Sequence, residues 1–284
     1  MTLEAFLSTI AAISGLTFVV ASMLGMGLSL TMTQILQPLK NARLVILALL
    51  ANFVLVPLLA YAITRLLPLD QSLQIGLIVL STVAGAPFLV KEVQAAKGNL
   101  ALGVGLMFMM MVVTIFYVPI VLPLLLPGVA VNPWDIAKSL IVTMLLPLVL
   151  GLLFRSNHPE DAQQWASLMN KVSGVALLIM LVVGLGLNLS NIISLIGSWG
   201  FLALFLFVIG SLLIGFVMGG RDPAVRSVMG LGTAQRNVAA AILVTSLNFP
   251  GTTTLPYVLV ASIVLPLILI PTARGLGRHS QPAS

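Results

Sequence analysis

Cysteine is absent from the 284-residue chain, which excludes disulfide scaffolds, thiolate-held zinc or iron–sulfur sites and cysteine redox chemistry. Histidine is nearly absent too. His158 and His279 are the only two; they lie far apart in polar segments, so an imidazole-based catalytic or metal site is not expected. Charge is the third scarcity: Asp, Glu, Lys and Arg make up 7% of the residues, against about 25% in a soluble domain. A water-facing surface cannot be assembled from so few. The 13 cations exceed the 7 acids and give a net charge of +6, but they are scattered singly, without the run or aromatic interleaving of a nucleic-acid surface. What fills the chain is apolar: 60% hydrophobic residues and a mean hydropathy of +1.17. Such a chain turns its outer surface to lipid. The expected class is an all-α, polytopic membrane protein.

Nine apolar stretches of spanning length are expected, at 6–32, 43–67, 71–96, 99–126, 135–155, 165–188, 197–220, 223–248 and 252–274. The third and eighth are the least uniform, with centres rich in small and polar residues. The basic residues orient the set, because short cytoplasmic loops carry the Lys/Arg excess. With the N-terminus outside, Lys40, Arg43, Lys91, Lys97, Arg155, Lys171, Arg221, Arg226, Arg274 and Arg278 fall inside. Arg65 and Lys138 fall outside, and Arg236 lies within a span. An N-out, C-in multi-pass protein of the plasma membrane is therefore expected. The first span lacks a basic n-region and an A-x-A site, so it reads as a membrane helix and not as a signal peptide. Residues 275–284 are expected to be a disordered cytoplasmic tail.

The chain also echoes itself. LGMGLSLT at 24–31 and VGLGLNLS at 183–190 share the pattern Gly-x-Gly-Leu-x-Leu-Ser/Thr, with Gly25 matching Gly184. Asp70 opens the third span as Asp222 opens the eighth, and Gly98 precedes the fourth as Gly251 precedes the ninth. An odd number of crossings separates the first and sixth spans, so the copies would run in opposite senses. Inverted repeats of this kind are a recurrent plan of secondary transporters, whose binding sites lie where two repeat-related helices are interrupted.

The third and eighth spans are where such breaks are expected. Ser81-Thr82-Val83-Ala84-Gly85-Ala86-Pro87 sets small and hydroxyl residues before a proline that removes an amide donor. Gly230-Leu231-Gly232-Thr233-Ala234-Gln235-Arg236-Asn237 sets two glycines before three strongly polar side chains. The two breaks are expected to meet at mid-membrane, with half-helix N-termini aimed at one wet, electropositive point. The candidate substrate-binding residues are Ser81, Thr82, Gly85, Ala86, Pro87, Gly232, Thr233, Gln235, Arg236, Asn237 and Asn52. A buried guanidinium costs at least about 2.5–3.5 kcal/mol on insertion scales, so Arg236 needs a partner. Of the acids, Glu4, Asp70, Asp135, Glu160, Asp161 and Asp222 sit in loops or at helix ends, leaving Glu92 alone near this region. Two readings of Arg236 stay open: a group for a ligand's carboxylate, or a plug bonded to carbonyls of the broken helix. Asn52 alone reads more often as a helix–helix hydrogen bond than as a ligand group, and Thr114 and Tyr117 of the fourth span read as cavity-lining or, more usually, packing residues.

In order and spacing, LGMGLSLT, ANFVLVP at 51–57, GNLALGVGL at 98–106, MLLPLVLGLLF at 144–154 and QRNVAAAI at 235–242 resemble the bile acid:sodium symporter family, in particular its bacterial members. The resemblance implies two inverted repeats arranged as a panel and a core. The panel would comprise 6–32 and 135–190, and the core 43–126 and 197–274, with the third and eighth spans unwound and crossing. It also implies a nine-helix variant lacking the first helix, and transport of organic anions, commonly with sodium, by alternating access. The chain departs from the family where sodium would bind. Ala86-Pro87-Phe88-Leu89 stands where sodium-coupled members carry a Ser-Asn pair, and Leu231 or Gly232 stands in the place of a Glu. Asn52 matches a ligating Gln, and Gln235 or Asn237 would still offer carbonyl oxygens. A hard cation wants several oxygen ligands and usually a charged one.

The expectation is therefore a secondary transporter of small organic anions, without cofactor, in which Arg236 supplies the positive charge that sodium supplies in relatives. A sodium-coupled symporter with a degenerate ion site, an anion channel and a non-transporting membrane subunit are the alternatives. An enzyme is not expected, for lack of an acid/base pair, a nucleophile–base arrangement or a metal set at depth.

Overall fold

The computed structural model describes residues 3–279 apart from 37, 127–131 and 196, and within them the chain is helical, with no β-strand. In chain order the helices are α1 (Leu3–Ser29), α2 (Ala42–Leu66), α3 (Gln71–Thr82), α4 (Leu89–Ala95), α5 (Leu100–Leu125) and α6 (Pro133–Asn157). They continue with α7 (Pro159–Leu187), α8 (Gly200–Met218), α9 (Pro223–Ala234), α10 (Val238–Asn248) and α11 (Thr254–His279). Shorter helical turns occupy Met32–Leu36, Pro38–Lys40 and Leu189–Leu195. Seven helices, α1, α2, α5, α6, α7, α8 and α11, are long and apolar enough to cross a bilayer. The expected count of nine is not reached on that criterion. The third and eighth expected spans are each divided into short pieces, α3 with α4 and α9 with α10.

Polar residues at the loop ends set where helices begin. Asp70, Asn99, Asn132, Asp222 and Asn237 each accept a hydrogen bond from an amide of the first turn of α3, α5, α6, α9 and α10. Pro133, Pro159 and Pro223 open their helices, where a missing N–H costs nothing. Two boundaries differ from the sequence expectation by more than three residues. Helix α7 starts at Pro159, several residues early, because Glu160 and Asp161 lie in its first turn and complement the positive end of the helix dipole. Helix α11 runs to His279, so 275–279 are helical; the rest of the expected tail lies outside the described residues.

Two helices widen into π turns, at Ala51–Leu55 in α2 and Ile141–Leu145 in α6, each just before a proline. Pro57 has no amide to give the carbonyl of Phe53, one turn back. The Tyr117 hydroxyl from α5 donates to that carbonyl instead, at 2.6 Å.

Helix α1 lies along α7 and against α6. A Cβ on Gly27 would strike the carbonyl of Leu148, and one on Gly151 would lie 2.6 Å from the carbonyl of Leu24. Small residues thus let the two backbones touch, the usual device for joining helices in lipid. The interrupted pieces α3, α4, α9 and α10 pack among α2, α5, α8 and α11, and α10 also touches α1 and α6. Apolar side chains such as Leu124, Val182 and Val217 project from the outer faces. A soluble protein would place charge there.

Candidate functional site

The first interruption follows Thr82. Val83 is extended, Val83–Ala86 forms no regular structure, Gly85 adopts φ +79°, and α4 begins at Leu89. Pro87 accounts for the opening on the far side: it donates nothing, and it biases Ala86 away from the helical region. The second interruption is shorter. Helix α9 ends at Ala234, Gln235 is extended, and Asn237 caps α10 by accepting from the amide of Ala240 at 3.2 Å.

The two breaks meet, and backbone groups freed in one are satisfied largely by the other. The Asn237 amide donates to the carbonyl of Val83 at 3.1 Å, and its side-chain Nδ2 to the carbonyl of Gly85 at 3.2 Å. Ala84 is held from a third direction. Thr114 Oγ1 on α5 accepts from the Ala84 amide at 2.9 Å and donates to its carbonyl at 3.1 Å. Gly85 passes so close to α5 that a Cβ would strike the backbone at Met107 and Met111.

Arg236 sits at the centre of this junction with none of its surface exposed. Its Nε donates to the carbonyls of Leu80 and Val83, both at 3.1 Å. Nη1 donates to Asn52 Oδ1 and to the carbonyl of Thr233, both at 2.9 Å, and Nη2 donates to the carbonyl of Ser81 at 3.1 Å. No carboxylate is among these partners. Of the two readings left open by the sequence, the carbonyl-bound arrangement is the one found in this structure. The polarity also differs from the expected one. The guanidinium meets the C-terminal ends of α3 and α9, where carbonyls are orphaned and the dipole is negative, and not a pair of half-helix N-termini.

The other candidate residues fall around this centre. Asn52, in the π turn of α2, bonds Arg236 through Oδ1, and its Nδ2 donates to the carbonyl of Ala48 and to Thr233 Oγ1. The Ser81 and Thr82 hydroxyls donate back into α3, to the carbonyls of Ile78 and Val79. Gly232 packs beside Leu89 and Met110. Ala86 is buried, whereas Pro87 is half-exposed. Gln235 is 4% exposed, and its Oε1 finds no hydrogen-bond partner. Thr114 and Tyr117 also contribute but were not among the candidate site residues, because a lone hydroxyl in an apolar span carries no positional signal.

Arg236 and Asn237 at the crossing point are fully buried in this structure, where a wet pocket was expected. Two cavities lie elsewhere: one of about 450 Å³ beside Ser29, Gln163, Ser167, Asn170 and Lys171, and one of about 130 Å³ beside Tyr61, Arg65, Gln71 and Gln74. Neither is lined by Arg236, Asn237 or Gln235. The guanidinium and the Asn237 amide occupy the space and the acceptors that water would otherwise take.

Residues 16–195 match the sodium bile acid symporter family. The chain belongs to that family. It is 30% identical over 147 residues to the probable sodium/metabolite cotransporter BASS2, chloroplastic, of Oryza sativa subsp. japonica, covering 51% of this chain and 35% of the relative. It is 31% identical over 198 residues to the probable sodium/metabolite cotransporter BASS1, chloroplastic, of the same plant, covering 66% of this chain and 46% of the relative. The chain thus spans less than half the length of the rice relatives it matches.

Proposed function

We propose that this protein is a secondary transporter of small organic anions, not an enzyme, in which the Arg236 guanidinium is a built-in cation at the crossover of two broken helices. The observation that carries the reading is a buried guanidinium held by four backbone carbonyls and Asn52 Oδ1, an oxygen cage of the sort that holds a hard cation. With the cage filled, sodium has neither room nor a carboxylate to neutralise it. The uncompensated charge biases the crossover toward anions. Gln235, its Oε1 unpartnered beside that charge, is the side chain best placed to meet a substrate when the crossover opens.

In this reading α1, α6 and α7 form the panel, and the helices around the breaks form the core, which shifts to expose the crossover to each side in turn. The N-terminus lies outside and the C-terminus inside a plasma membrane, as the distribution of Lys and Arg requires. The bilayer and a small organic anion are the partners. The sodium-coupled alternative is favoured by the names of the rice relatives, sodium/metabolite cotransporters.

Purified protein should melt at a higher temperature in the presence of a transported carboxylate or sulfonate, because a ligand that prefers the folded state stabilises it. Taurocholate and a panel of short-chain carboxylates and sulfonates are suitable probes, tested in sodium and in choline salts. Gln235→Leu should weaken the shift about tenfold in midpoint concentration, a loss of about 1.4 kcal/mol, while leaving the ligand-free melting temperature within a few degrees. Absence of any anion-dependent shift would refute the anion reading.

A further inference from the structure

Glu92 is the acid that the crossover does not use. It lies on α4, the short half-helix after the first break, and is 1% exposed; both of its carboxylate oxygens are buried without a hydrogen-bond partner. Helix α4 packs against α5, α9 and α11. A carboxylate enclosed in that way, with neither a donor nor a cation, is strongly disfavoured, and an ionisable group retained inside a membrane bundle is functional by default.

The surrounding charges are turned elsewhere. On α4 itself Lys91 is exposed, with its ammonium over the Phe88 ring at 5.7 Å, and Lys97 just beyond is exposed as well. Arg226 on α9 lies over the Phe216 ring at 5.6 Å. On α11, Arg274 and Arg278 are exposed, and the Tyr257 hydroxyl donates to the carbonyl of Gly200; the helix ends at His279. The titratable group of α5 is Tyr117, which is bonded to Phe53. Arg236 is committed to carbonyls and Asn52.

We infer that Glu92 is a proton-binding site, and that a proton exchanged there couples anion transport to the proton gradient where relatives use sodium. The inference rests on the transporter reading above. Its position gives the coupling a physical route. Leu89, one turn before Glu92, meets Gly232 of α9, and Gly98, beyond the end of α4, meets Ser227 and Val228 of the same helix. Helices α4 and α9 therefore pack closely on either side of Glu92 along the chain. With the proton bound, the group is neutral and the two half-helices stay packed. Loss of the proton leaves a carboxylate that must reach water, which separates them. One proton binds the carboxylate on the side of higher proton activity and leaves on the other in each cycle, so a monovalent anion and a proton cross together with no net charge.

Infrared difference spectra of purified protein between acidic and alkaline pH test the proton site directly. A protonated-carboxyl C=O band that titrates in the wild type, disappears in Glu92→Gln and returns at a shifted frequency in Glu92→Asp is expected. A spectrum in which Glu92→Gln retains the band overturns the inference. Proteoliposomes with clamped membrane potential and an internal pH dye test the coupling, with taurocholate as probe, since a sulfonate stays ionised and carries no proton of its own. An inside-alkaline gradient should speed wild-type uptake about tenfold and acidify the lumen, while Glu92→Gln keeps anion binding and loses the gradient dependence. Wild-type uptake indifferent to the gradient overturns the inference. A titrating Glu92 without any anion-dependent shift or uptake upholds the proton site and strikes instead at the anion reading.

Discussion

Arg236→Ala lowers the melting temperature of the purified protein by about 10 °C. The substitution removes the donor from the carbonyls of Leu80, Ser81, Val83 and Thr233 and from Asn52 Oδ1. Breaking one partner out of a buried charged network costs about 3–5 kcal/mol, and each kcal/mol moves the midpoint of a chain near this size by about 2–4 °C. The losses should rank by donors retained: Arg236→Lys least, Arg236→Gln more, Arg236→Ala most. A guanidinium whose task is to grip a ligand behaves differently, since its removal abolishes anion binding and leaves the ligand-free protein as stable as before. An unchanged melting temperature with lost binding would therefore assign Arg236 to the substrate and empty the cage argument.

Gly85→Ala has the second large effect, and through the backbone alone. The residue sits at φ +79°, and an added Cβ would strike the main chain of α5 at Met107 and Met111, which cannot yield as a side chain can. Left-handed backbone costs a non-glycine residue about 1–3 kcal/mol, and displacement of α5 adds to it. The total falls among the rare single substitutions that cost more than about 4 kcal/mol. Most of the variant should elute as aggregate in size-exclusion chromatography after detergent extraction. Gly174→Ala on α7 is the control, because nothing lies within 4 Å of its added Cβ. A monodisperse Gly85→Ala with wild-type melting would mean that the first break is not locked against α5.

The sequence made the membrane class, seven of the nine expected spans and both breaks legible, because each rests on local composition. Scarce charge and long apolar runs define spans, and Pro87 and the pair Gly230 and Gly232 mark interruptions that no uniform helix would carry. The chemistry of the junction was less legible. That Arg236 is fully buried followed from its depth, but three of its partners are main-chain carbonyls at and just beyond the end of α3, more than 150 positions away in sequence, and backbone acceptors leave no trace in residue type. The same limit hid Thr114, whose hydroxyl serves both groups of Ala84. The expected wet pocket failed for a related reason: a side chain able to bind a ligand is equally able to satisfy the ends of the helices that surround it. Nor did local pattern foretell the direction of the dipoles at the crossover, which depends on which half of each broken helix meets the other.

Arg236 is proposed to occupy the place of a coupling cation. Equilibrium binding of radioactive sodium to purified protein, with anion-dependent thermal stabilisation confirming that the preparation is active, distinguishes this from a sodium-coupled site. No saturable sodium binding is expected for the wild type, and it should appear in Arg236→Gln, where the carbonyl cage loses its built-in charge. Saturable, stoichiometric sodium binding by the wild type would mean that the cage holds sodium and not the guanidinium.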